Sequence, residues 1–173
     1  MSSNDGYIYE NRDWVFFGIG EDWEEDRCPK CYGMLRKELK PNKYCINCWK
    51  LEIFYSNCTD LEAVKRFLID ESKRDHSFHG KWLKREMPLP VDAYTSIPAS
   101  GHPDADVERD GVILIYTRSI EERDRLKERI LKGLQERGLY KKSSLSYRRG
   151  CLDFDELIGN WKEWYELDKD YPE

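Results

Sequence analysis

No stretch of this chain approaches 18 consecutive apolar residues, and its opening, Met1-Ser2-Ser3-Asn4-Asp5, has neither a basic start nor an apolar core. Neither a membrane span nor a secretory signal is expected, and the expected compartment is cytoplasmic. Also missing are a Gly-x-Ser-x-Gly elbow, a Gly-x-x-x-x-Gly-Lys phosphate loop and a dinucleotide fingerprint, which weakens the sequence grounds for an enzyme. A basic excess is lacking too: the formal net charge of -5 argues against a simple polyanion binder. What is present is polar and globular, with 39% hydrophobic and 36% charged residues and six Trp and eleven Tyr among the aromatics. At 173 residues the chain can hold one ordinary domain and a small appendage. Its charge-rich, Lys/Glu-rich composition also suits a thermophile.

The most specific pattern is a pair of Cys-x-x-Cys hooks, Cys28-Pro29-Lys30-Cys31 and Cys45-Ile46-Asn47-Cys48, separated by thirteen residues. Each hook offers two sulfurs from one tight turn, and four thiolates suit a closed tetrahedral Zn²⁺ site with metal–sulfur distances of about 2.3 Å. Pro29 and Gly33 are turn residues placed where a hook needs them. Residues 27–50 thus resemble a zinc ribbon, a small treble-strand module of many nucleic-acid-processing proteins. The resemblance implies a hairpin with Met34 to Leu39 as one arm, and Zn²⁺ held by Cys28, Cys31, Cys45 and Cys48. Disulfides and a rubredoxin-like iron site are the rival readings of the same thiols. Cys58 and Cys151 remain, as reduced buried thiols or as a pair.

Charge is unevenly spread. Residues 1–27 and 153–173 each carry two basic and eight acidic side chains, whereas 28–50 carry six basic residues and one acid. The basic ribbon hints at an anionic partner. Trp14-Val15-Phe16-Phe17-Gly18-Ile19-Gly20 reads as a strand, and Glu21 to Asp26 as an acidic loop.

Beyond the ribbon an internal echo sets the expected fold. Leu51 to Ser56 reads as a strand, Thr59-Asp60-Leu61-Glu62 as a capping box opening a helix to about Asp75, and Lys81 to Glu86 as a second strand. The order returns sixty residues later with strand Val112 to Thr117, the box Ser119-Ile120-Glu121-Glu122, a helix to Arg137 before Gly138, and strand Ser143 to Leu152. Two such halves predict an α+β protein: an N-terminal segment and zinc ribbon over 1–50, then a ferredoxin-like βαββαβ sandwich over 51–173 with an extra C-terminal helix. The first strand of each half belongs in the centre of the sheet and the second at an edge, since the first strands are nearly continuous apolar runs. Val64, Phe67 and Leu68 on the first helix, and Leu126, Ile130, Leu131 and Leu134 on the second, fall on core faces. Phe154, Leu157, Ile158, Trp161, Trp164 and Tyr165 form one apolar helical stripe, expected to cover the second face of the sheet.

The expected function is a non-catalytic zinc module that binds nucleic acid or a nucleic-acid-handling protein, with a homo-oligomer left open. Lys30, Arg36, Lys37, Lys40 and Lys43 with Tyr32, Tyr44 and Trp49 would offer charge and stacking surface on the ribbon. Two basic edge rims would add Trp82, Lys84 and Arg85 on one side and Tyr147, Arg148 and Arg149 on the other, beside Lys81, Lys141 and Lys142. Tyr55 and Tyr116, at matching strand ends, are a further stacking pair, although no Lys/Arg-Gly-Phe/Tyr-Gly/Ala-Phe motif accompanies them. A second reading is a metal-dependent phosphotransfer or hydrolytic enzyme, with His102, Asp104 and Asp106 of the 100–106 loop holding Mg²⁺ or Mn²⁺. His76 and His79 read as a helix-end feature and a turn residue rather than a metal pair. The third reading is an assembly or regulatory protein recognised through its acidic ends.

Overall fold

Trp49, Leu51, Ile53 and Tyr55 alternate with Lys50, Glu52 and Phe54, and every residue of this strand is buried, as befits the middle of a sheet with both faces covered. The computed structural model describes residues 9–10, 14–18, 27–55, 60–75, 77–84, 111–140, 143–150, 158–159, 161 and 164, with backbone alone at 9, 27–30 and 143–144. Ten elements follow in order: β1 (Tyr9–Glu10), β2 (Trp14–Phe17), α1 (Arg27–Glu38), α2 (Lys43–Ile46), β3 (Trp49–Tyr55), α3 (Leu61–Arg74), β4 (His79–Leu83), β5 (Gly111–Thr117), α4 (Ile120–Glu136) and β6 (Ser143–Arg149). The protein is α+β, with one antiparallel sheet in the order β1-β2-β4-β5-β3-β6.

Register decides which side chains meet the helices. Leu51 opposes Ile115 and Tyr147, and Ile53 opposes Ile113 and Leu145, so these residues share one face. Leu51, Ile53, Ile113 and Ile115 pack there with Val64, Phe67 and Leu68 of α3 and Leu126, Ile130 and Leu134 of α4. The helices start where local chemistry directs. Asp60 accepts from the Ala63 N–H at 3.0 Å to cap α3, one residue later than the expected Thr59, and Ser119 accepts from the Glu122 N–H at 3.2 Å to cap α4.

Between α3 and α4 the Arg129 guanidinium bonds Glu71 through Nε and Asp75 Oδ2 through Nη1 at 2.8 Å. Arg125 adds a bond to Asp75 at 3.1 Å, and the Ser77 hydroxyl donates to Asp75 at 2.5 Å. Burial would raise the Asp75 carboxyl, but the Ser77 and Arg125 hydrogen bonds override it and hold the carboxyl at about 2, below the ordinary 3.8. Because the folded value is depressed, the stability this carboxylate contributes is complete above about pH 4 and is lost as pH falls toward 2. In urea melts, the advantage of wild type over Asp75→Asn is therefore expected to be constant above pH 5 and to shrink between pH 4 and 2. A gap independent of pH would contradict this role.

Three expectations are corrected here. The segment Met34 to Leu39 is not a hairpin arm: residues 34–38 are helical within α1, where Cys31 and Leu35 recur at helical spacing on the buried side and Arg36, Lys37 and Glu38 are strong helix formers. The helix ends at Glu38, followed by Leu39 with φ of 50°, two residues before Pro41. The strand expected over 81–86 runs from His79 to Leu83 and is no edge, because β2 pairs along it with Val15 opposite Trp82. Residues 14–17 therefore belong to the sheet and not to a separate N-terminal unit. Finally, Ile158, Trp161 and Trp164 do not cover the second sheet face. Trp161 meets Trp49 edge-on at 5.9 Å and Tyr147 at 6.1 Å, both on the helix-bearing face, and Trp164 is buried against the cysteine hooks. Phe154, Leu157 and Tyr165 lie outside the described residues. Among the described residues no helix is long and apolar enough to cross a membrane.

Candidate metal centre

The cysteine module has its own small core, in which Cys31, Leu35, Cys45, Ile46 and Trp164 are buried and Tyr44, Ile158 and Trp161 pack against them. Positions 28 and 31 are three apart on α1 and share a helical face, while Cys45 sits in α2 and Cys48 just after it. Asn42 organises the pocket, and sequence reasoning missed it. Only 1% exposed, it caps α2: its Oδ1 accepts from the Tyr44 N–H at 3.0 Å and the Cys45 N–H at 3.4 Å, and its Nδ2 donates to the Cys31 carbonyl at 3.2 Å. Its own backbone N–H donates to Cys45 Sγ at 3.1 Å. The available signal was an asparagine three residues before a cysteine, the spacing of an N-cap to its third helical residue.

These contacts make the sulfurs unequal. The neighbouring Cys31 thiol, helped by the N–H groups of Asn42, Cys45 and Ile46 against the opposing effect of burial, lowers the Cys45 thiol to about 7. The proximity and charge of Cys45, together with burial, push the Cys31 thiol well above the ordinary thiol range, against the opposing effect of its 3.5 Å bond to Asn42 Oδ1. Two buried sulfurs that share one small core and both meet Asn42, one of them accepting a backbone N–H, fit a thiolate-rich metal centre. Among the described residues no group of three or more Cys, His, Asp or Glu side chains closes around an ion position. The Cys28 side chain is outside that description. Trp164 Nε1 is buried with no hydrogen-bond acceptor among the described residues.

The module is tied to the end of β6. The Gly150 N–H donates to the Cys48 carbonyl at 2.7 Å, and Arg149 Nε donates to the Ile46 carbonyl. Arg149 also lies over the Trp49 ring at 4.9 Å, and Arg123 of α4 covers both Trp49, at 4.6 Å, and Tyr147, at 4.3 Å.

No protein-family model, curated protein or solved structure matches the chain.

The expected nucleic-acid residues separate into two groups. Arg36, Lys37, Lys40 and Lys43 are exposed, as is Tyr32, over whose ring Arg36 lies at 4.6 Å; Lys43 lies over the half-buried Tyr44 at 5.1 Å. Lys30 is in α1, with its side chain outside the described residues. The second group is corrected: Trp49, Trp82, Arg148 and Arg149 are all buried, between 2% and 7% exposed, and offer no surface. Trp82 stacks on Phe17 at 5.1 Å because β2 covers the side on which an edge was expected. Trp49 and Arg149 form the joint described above. Tyr147 is exposed but shares that joint, Lys84 pairs with Glu10 at 2.7 Å, and Arg85 is outside the described residues. The stacking pair Tyr55 and Tyr116 is also corrected: Tyr55 belongs to the helix-side core, whereas Tyr116 opposes Lys50 on the other face, where His79 stacks on it at 5.9 Å. His76, His102, Asp104, Asp106, Cys58, Cys151, Lys141 and Lys142 lie outside the described residues.

Proposed function

We propose that this chain is a non-catalytic nucleic-acid-binding protein whose contact helix, α1, is fixed by a zinc ion held by Cys28, Cys31, Cys45 and Cys48. Bound zinc would supply no reaction; it would cross-link the two hooks. The observation that carries the reading is the division of α1 into two faces. Cys31 and Leu35 turn inward, while Tyr32, Arg36 and Lys37, continued by Lys40 and Lys43, face solvent. Cations beside an exposed ring suit a phosphate backbone and a stacked base.

The body that carries the module is read as a ferredoxin-like sandwich, supported by the order β4-β5-β3-β6 with α3 and α4 on one face. A cytoplasmic setting, where thiols stay reduced, is what such a centre requires.

Binding of a single-stranded oligonucleotide is expected to weaken steeply with salt. Four phosphate contacts give a log–log slope of about -3. Replacing Arg36, Lys37, Lys40 and Lys43 together by alanine should flatten that slope to near zero. If wild type fails to bind at low salt, or binds with an unaltered slope after the four substitutions, the reading is wrong.

A further inference from the structure

Trp164 is 3% exposed, and its indole N–H finds no acceptor among the described residues although it lies in the same small core as Cys31 and Cys45. An indole nitrogen only donates. A neutral thiol is a weak acceptor, whereas a thiolate accepts a charge-assisted bond. Leu35 and Ile46, both 0% exposed, complete an apolar surrounding that gives neither the N–H nor a sulfur much access to water. We infer that Trp164 is a positioning residue of the metal centre, its N–H donating to a cysteine sulfur once that sulfur is a metal-bound thiolate. This inference rests on the zinc reading above.

The chemistry asks for such a donor. Four thiolates around a dication carry a net charge of about minus two. In an apolar setting that charge is met by protein N–H groups, which also orient the ligands. The Asn42 backbone N–H is already directed at Cys45 Sγ at 3.1 Å. Trp164 would supply a second donor from a distant part of the chain. Its segment is held by contacts of its own, since Trp161 packs against Trp49 at 5.9 Å and Tyr147 at 6.1 Å. The metal centre would thereby include the C-terminal segment, which the two hooks alone do not reveal.

The test uses the full chain with ¹⁵N-labelled tryptophan, stripped of metal and then titrated with Zn²⁺ and separately with ¹¹³Cd²⁺. Metal stoichiometry is measured first. With one ion bound per chain, the Trp164 indole resonance, assigned by triple-resonance spectra, should move downfield, exchange more slowly with solvent and show coupling to ¹¹³Cd. Trp164→Phe keeps the ring and removes the donor; it should still take up the ion but with about 10- to 100-fold lower affinity in chelator competition. An indole resonance unmoved by a stoichiometric metal overturns the inference and leaves the zinc reading standing, whether or not the phenylalanine variant folds. So does a folded Trp164→Phe variant with wild-type affinity. A chain that takes up no metal overturns both, and stoichiometry alone reveals that case.

Discussion

On the zinc reading, replacing Cys45 by serine, or adding a metal chelator, is expected to open the α1–α2 module while leaving the sheet folded. Cys45 is 0% exposed, and its sulfur accepts from the Asn42 N–H and lies 3.1 Å from the Asn42 carbonyl. The module's core of Cys31, Leu35, Cys45, Ile46 and Trp164 is a cluster apart from the larger one between sheet and helices. A core of five buried residues is too small to hold itself, and in small zinc modules the metal contributes about 10–16 kcal/mol of apparent folding free energy. Loss of even about 4 kcal/mol would raise amide exchange in α1 and α2 about 10³-fold. Amides of β3 and β5 should keep wild-type protection. Exchange mapped by mass spectrometry separates the outcomes: uniform protection would mean that no metal supports the module, and loss of protection throughout would mean that the two cores do not behave independently.

The larger core has a different weak point. A Cβ placed on Gly80 would lie 2.2 Å from the Leu114 carbonyl oxygen and 2.9 Å from the Phe17 ring. Neither neighbour can yield easily, because Leu114 O belongs to the backbone of β5 and Phe17 is 0% exposed. Gly80→Val is therefore expected to force β4 away from β5 at a cost of about 3 kcal/mol or more. For a chain of this size that lowers the melting temperature by about 6–12 °C. Gly33→Ala is the matched control, since nothing lies within 4 Å of a Cβ there and the site is helical; it should be neutral or stabilise by up to about 1 kcal/mol. A Gly80→Val chain that melts like wild type would show that β4 is not packed against β5 in this way.

Much of this body was legible because local and periodic signals agreed. Ser119 before Glu122 marked the start of α4, Gly138 followed its end, and the apolar runs of β3 and β5 pointed to central strands. Pairing between distant strands left no such mark. Nothing in Trp14 to Phe17 says that it will lie along His79 to Leu83, so Trp82 was taken for rim surface when β2 buries it. Charge misled for a related reason. Arg148 and Arg149 alternate between faces, and both faces are buried at that point. At the cysteine hooks the Cys-x-x-Cys spacing suggests tight turns and hides the helix, although Leu35 four residues after Cys31 carries the helical period. Asn42 was passed over because a cap looks ordinary until its backbone is seen to donate to a sulfur.

The strand order has a consequence for synthesis. β3 and β4 come from one repeat and β5 and β6 from the other, yet neither pair is hydrogen-bonded together, because β5 lies between β3 and β4 and β3 lies between β5 and β6. A nascent chain emerging from the ribosome must therefore carry β3 with no sheet neighbour until residues 111–117 have been translated. Both backbone edges of β3 stay without a strand partner for that interval, even where α3 can already cover Ile53, and the slow, aggregation-exposed stage is expected to fall before the second half is made.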